Sequence, residues 1–128
     1  MKQIQLVGSE KQIKWANDIR ENLKLFIKNF EEIEKEKEEY NNKTKEMEKY
    51  GSKKVNYRNM LFVFAENVIN RMKKEIESIE ASTFFIEKYK ELRPEFVLNN
   101  GWFNIDYFQF FYTAEEKQKI IEVENSLK

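Results

Sequence analysis

The side chains here that can do chemistry are carboxylates, lysines and tyrosines, because the chain contains neither histidine nor cysteine. Thiolate and imidazole zinc sites are therefore excluded, as are histidine general bases and cysteine nucleophiles. Without cysteine no disulfide forms, and nothing suggests an oxidising compartment. A carboxylate-only Mg²⁺ site is open in principle. Yet no acidic pair sits in the apolar, core-facing context that would raise a pKa, and Asp106 is the only acid inside the aromatic-rich stretch described below. Glycine-rich phosphate loops, dinucleotide fingerprints and nucleophile elbows are absent. The expectation is a protein that is not an enzyme and has no catalytic residue, metal or cofactor.

Three groups of residues suit binding instead. Glu31, Glu32, Glu34, Glu36, Glu38 and Glu39 surround Ile33 with only Lys35 and Lys37 to offset them. Such a run can imitate phosphates in a basic channel, or it is a solvated helix face carrying pairs such as Glu31–Lys35. Lys11, Lys14, Arg20, Lys24 and Lys28 make the first helix basic, and Lys43, Lys45, Lys49, Lys53 and Lys54 make the following connection basic. Either set could meet phosphates, although acidic runs flank both and no recognised nucleic-acid motif accompanies them. The third group is aromatic. Phe96 to Tyr112 holds eight aromatics in 17 residues, among them Trp102, Phe103 and Phe110. Trp, Tyr and Phe are enriched at interface hot spots, so this stretch is either a binding surface or a core cap.

The elements that must position these groups read as helices. In 128 residues there are three glycines and one proline, too few turn formers for a sheet-built domain, and the length suits one domain. Ser9 and Gln12 make a capping box, with Glu10 in the first turn. Ile13, Ala16, Ile19, Leu23, Phe26, Ile27, Phe30 and Ile33 then form a stripe at spacings of three and four. From Phe26 the rhythm continues through Ile33, Lys37, Tyr40, Thr44 and Met47, so one long helix is expected towards Tyr50, with Asn41-Asn42 its weak point and a homodimer seam as one use for its heptads. Gly51-Ser52 ends it and starts a second helix carrying Met60, Leu61, Phe64, Ala65, Val68, Ile69, Met72 and Ile76. A short connection between two such helices predicts an antiparallel helical hairpin. Phe84, Phe85, Ile86, Tyr89 and Leu92 make a further helical patch closed by Pro94. Asn104 to Tyr112 fits a short helix or a strand. Thr113 and Glu116 form a second capping box, opening a last helix with Ile120, Ile121 and Leu127. The fold class is all-α: a long hairpin, shorter C-terminal helices and an aromatic-rich connecting segment in one domain, 1–128.

The formal net charge is zero, which excludes a strongly basic nucleic-acid binder. The opening MKQIQLVGSEKQ lacks a signal peptide's apolar stretch, and the longest apolar run, Met60 to Ala65, is far short of a membrane span. A soluble protein of the bacterial cytoplasm is expected.

Leu6-Val7-Gly8-Ser9-Glu10-Lys11-Gln12-Ile13-Lys14-Trp15-Ala16-Asn17-Asp18-Ile19-Arg20 resembles an L-x-G-[ST]-x-K-Q-x-x-W-A-x-x-I-R opening found in small proteins of phages and other mobile elements. Ala81 to Tyr89 is similar to their second signature, but has Phe84-Phe85 in place of tryptophan and Tyr89 in place of arginine. The resemblance covers about a third of the chain. It implies an inhibitor of a host defence complex, of the anti-CRISPR type, with the acidic run and the exposed aromatics as contact groups. The alternatives are a nucleic-acid-associated regulatory module using the basic first helix, or a structural homodimer. In the motif itself, Trp15, Ala16 and Ile19 are expected to pack while Lys11 and Arg20 stay in water.

Overall fold

The computed structural model describes residues 4–33, 53–99 and 102–127, and their architecture is all-α. Helix α1 spans Glu10–Glu32, α2 Lys53–Ser78, α3 Ser82–Tyr89 and α4 Ala114–Ser126. Between α3 and α4 lie a 3₁₀ turn at Pro94–Val97, a two-stranded antiparallel ribbon and a 3₁₀ helix at Ile105–Phe111. In the ribbon β1 (Leu98–Asn99) pairs with β2 (Trp102–Phe103), Leu98 opposite Phe103.

Helix α1 begins where the capping box predicts. The Ser9 hydroxyl accepts from the Gln12 N–H at 3.2 Å, and the Gln12 side chain accepts from the Ser9 N–H at 3.0 Å. Two of the donors that every helix start leaves unpaired are thus satisfied. The apolar stripe is buried as its spacing requires: Ala16, Leu23 and Phe26 are wholly enclosed, with Ile19, Ile27 and Phe30 nearly so. The helix closes at Glu32, with Ile33 as its C-cap and itself in the core. It therefore stops short of the continuous helix towards Tyr50. The expected continuation, its bend at Asn41-Asn42 and the hairpin connection at Gly51-Ser52 lie outside the described residues.

The segment before α1 is extended and tied down. Val7 N–H donates to the Glu80 carbonyl at 2.7 Å and Ser82 N–H donates to the Val7 carbonyl at 3.0 Å, a single parallel bridge to Ala81. The Glu80 carbonyl and the Ser82 N–H thus bond to Val7 instead of continuing a helix, and α2 ends at Ser78 while α3 starts afresh at Ser82. Gly8 makes the approach feasible. Its φ of +152° disfavours a side chain, and a Cβ there would lie 3.2 Å from the Ser82 Cβ and Oγ.

Helix α1 packs most extensively on α3 and on the Pro94 turn, and less on α2. Asn29 on α1 donates to the Pro94 carbonyl at 3.0 Å. One core joins α1, Val68, Met72 and Ile76 of α2, Phe85 of α3, Val97, and Phe108 of the 3₁₀ helix. Phe108 lies between Phe26 and Phe30, with ring centroids 5.3 and 5.7 Å away.

Candidate partner-binding surface

The stretch that fits either a helix or a strand by sequence is a 3₁₀ helix, whose period of three matches neither template. Residues three apart eclipse one another on such a helix. Phe108 and Phe111 form the inward row, and Tyr107 and Phe110 the next. Phe108 is fully buried, whereas Phe110 is 68% exposed. Phe96, from the Pro94 turn, meets Tyr107 edge-on at 5.4 Å, and Tyr107 meets Phe110 at 5.7 Å. Phe96 is itself nearly half exposed, and neighbouring Leu98 somewhat less. One row of the aromatic segment completes the core, while the next forms a ridge, Phe96–Tyr107–Phe110, whose ends Phe96 and Phe110 are exposed and whose middle ring, Tyr107, is half-buried against Phe26.

On the far side of Phe110 the surface dips into an open groove of about 570 Å³. It is lined by Tyr57 and Leu61 of α2, by Ile105, Asp106, Gln109, Phe110 and Tyr112, and by Lys117, Ile120, Ile121 and Glu124 of α4. Tyr57 donates to Glu124 at 2.6 Å. Burial, the Glu124 hydrogen bond and charge, and the Asp106 charge push the Tyr57 pKa up to about 12. Tyr112 is pushed up as well, by burial first and then by the charges of Glu116 and Asp106 and by Tyr57. Its hydroxyl is buried and has no hydrogen-bond partner among the described residues.

Helix α4, the groove's outer wall, is held at its first turn. Glu116 completes the expected capping box, its carboxylate accepting from the Thr113 N–H at 2.9 Å while its own N–H donates to the Thr113 hydroxyl at 3.1 Å. The same carboxylate takes both Arg71 nitrogens, at 2.8 and 3.2 Å, and Asn67 at 3.4 Å. Arg71 also donates to the Phe111 carbonyl at 3.1 Å. Burial pushes the Glu116 pKa up, but the bonds from Arg71, Thr113 and Asn67 outweigh it and hold the group below its ordinary value. A cap legible in the sequence thus doubles as the bolt between α4 and α2. The pairing with Arg71, 45 positions away, has no local signal.

The other expected contact groups fare differently. Glu31 is joined to Lys73 of α2 at 2.6 Å, and Glu32 faces Lys28 at 4.0 Å across one helical turn. Glu34, Glu36, Glu38 and Glu39 lie outside the described residues, as do the side chains of Trp102 and Phe103. Of the basic set, Lys11, Lys14 and Lys28 are exposed, and Lys24 pairs with Glu21 at 3.1 Å.

Arg20 corrects the expectation that it stays in water: the residue is buried, 2% exposed. Its guanidinium donates to the Ile4 carbonyl at 2.5 Å and to Asn17 at 2.7 Å, and it lies over the Phe85 ring at 5.9 Å. These partners replace water around the buried charge, so Arg20 is withdrawn from any phosphate-facing surface. Trp15 corrects the opposite expectation, since half of its surface remains in water. Phe26, Phe30 and Ile33, the start of the heptad-like seam, are inside the fold.

Among the described residues no group of three or more acidic side chains is placed to hold a metal ion, and no helix is long and apolar enough to cross a membrane. Asp106 is exposed at the groove.

The chain matches no family model, no curated protein and no solved structure.

Proposed function

We propose that this chain is a non-catalytic binding protein that seats its aromatic ridge against a protein partner, and that the partner is a host defence complex of the CRISPR-effector kind. The observation that carries the binding reading is Phe110, a large apolar side chain 68% exposed at the end of a continuous row of rings. Exposed aromatics in contact with one another are the composition of interface hot spots, and burying one contributes about 1.5–3 kcal/mol on binding. The partner class comes from the resemblance of residues 6–20. Glu31 and Glu32 are placed as secondary contacts, since both already serve ion pairs within the fold.

The test is co-elution of the purified chain with CRISPR effector complexes, together with protection of phage or plasmid in cells that carry them. Phe110→Ser is expected to abolish both while leaving the fold intact. Failure of the unaltered chain in both assays overturns the reading.

One observation favours a second reading. Trp15 is half exposed one helical turn from Lys11 and next to Lys14. An exposed aromatic beside lysines suits stacking and phosphate contact with single-stranded nucleic acid. This reading predicts binding that weakens steeply with salt. A flat salt response removes it.

A further inference from the structure

The groove beside Phe110 carries a chemistry that the ridge does not. Its two carboxylates, Asp106 and Glu124, converge on one end: Glu124 takes the Tyr57 hydrogen bond, and both charges act on the Tyr57 hydroxyl. Neither has an ion-pair partner among the described residues. Lys117 also lines the groove but lies seven residues before Glu124 on α4, about 10 Å along the helix. The lining therefore carries two carboxylates beside Tyr57, against one more distant lysine, together with the Phe110 ring and the apolar Ile120 and Ile121. Tyr112 also lines the groove; it is nine-tenths buried, and its hydroxyl has no partner among the described residues.

We infer that this groove takes an arginine side chain from an extended peptide segment of the protein partner, flanked by apolar residues. This rests on the binding reading above and names the group that the site recognises. A guanidinium meets each feature of the site. Its fork pairs with carboxylates and its plane stacks on aromatic rings. The volume fits a side chain and its neighbours, since ligand pockets span roughly 300–1,000 Å³. Phosphate-bearing partners are disfavoured by the same two carboxylates.

The probe is acetyl-Leu-Arg-Leu-amide, titrated into the isotope-labelled full chain and followed by NMR. Its counterpart carries citrulline, which keeps the shape and removes the charge. Shifts are expected at Asp106, Gln109, Ile121 and Glu124, with the citrulline peptide at least about tenfold weaker. Asp106→Asn and Glu124→Gln should each abolish the preference for arginine, while Glu122→Gln, on α4 but outside the groove, should leave it unchanged. Thermal melts of each variant establish that the fold is kept. Equal binding of the two peptides, shifts elsewhere, or no shifts at millimolar peptide overturns the inference. The titration uses no effector complex, so it fails or succeeds separately from the co-elution assay. Co-elution without an arginine preference would remove this inference alone.

Discussion

Replacing Glu116 dissects the bolt between α4 and α2. Glu116→Ala removes the reciprocal cap, costing about 1 kcal/mol, and leaves Arg71 without its carboxylate. The Glu116 side chain is only 10% exposed but that of Arg71 is 34% exposed. The pair therefore belongs between an exposed bridge, contributing about 0–1 kcal/mol, and a buried one, whose breaking costs about 3–5 kcal/mol. A loss of about 2 kcal/mol for the pair brings the total for Glu116→Ala to about 3 kcal/mol. At about 4 °C per kcal/mol for a chain of this size, the melting temperature should fall by roughly 12 °C. Glu116→Gln keeps the shape and an oxygen for the Thr113 N–H but loses the charge, and should cost about 1–2 kcal/mol. The pH dependence separates charge from packing. The folded-state pKa of Glu116 is held below its unfolded value. Its contribution is therefore complete above the unfolded pKa, about 4.3, and is lost as pH falls through the lower folded value. Urea denaturation of the unaltered chain and Glu116→Gln should show a constant gap at pH 6–8 that closes on acidification. A gap that persists undiminished at low pH, or no gap at neutral pH, refutes the assignment of that stability to the ionised pair.

Gly8→Ala should destabilise the fold by about 1–3 kcal/mol, from the positive φ and the crowding at Ser82, read from the urea midpoint at unchanged slope. Arg20→Met should cost about 2–4 kcal/mol, because the Ile4 carbonyl loses its donor, whereas Lys11→Met on the same helix should change the melting temperature hardly at all. Phe108→Ala should cost about 3–5 kcal/mol by leaving a cavity between Phe26 and Phe30. Phe110→Ser, two positions along, should stay within about 0.5 kcal/mol of the unaltered chain, and equal losses at the two positions would contradict the two-row geometry of the 3₁₀ helix.

Local signals carried much of the fold. Both capping boxes, the α1 stripe and the helical character of α2, α3 and α4 depend on residues within a turn or two of one another, and such patterns are legible without tertiary contacts. What failed depends on distant partners. Arg20 follows Ala16 by four and precedes Leu23 by three, so its place on the inner stripe was written in the spacing, but charge argued for water. Only the Ile4 carbonyl and the Phe85 ring, supplied from elsewhere, make burial affordable. Trp15 sits at the margin of the buried arc, where a large ring keeps part of its surface outside. For the candidate site, aromatic composition singled out the segment in which Phe110 is exposed. The period of three that splits core from ridge was not anticipated, because helix and strand templates do not contain it. The groove joins α2, the 3₁₀ helix and α4, and no linear pattern spans the three.

The bridge from Val7 to Ala81 also sets an order of events during synthesis. The strap emerges from the ribosome first, yet its backbone partners follow 74 residues later. At about 5–20 residues per second, α1 and its strap wait roughly 4–15 s before Glu80 and Ser82 exist, and longer before the latter clear the exit tunnel. Throughout that interval the stripe from Ala16 to Phe30 lacks its principal cover, α3 and the Pro94 turn. The nascent chain is thus most exposed to aggregation and to chaperone capture until α3 and the Pro94 turn have emerged, and substitutions that slow the arrival of α3 should lower the yield of folded protein more than its final stability.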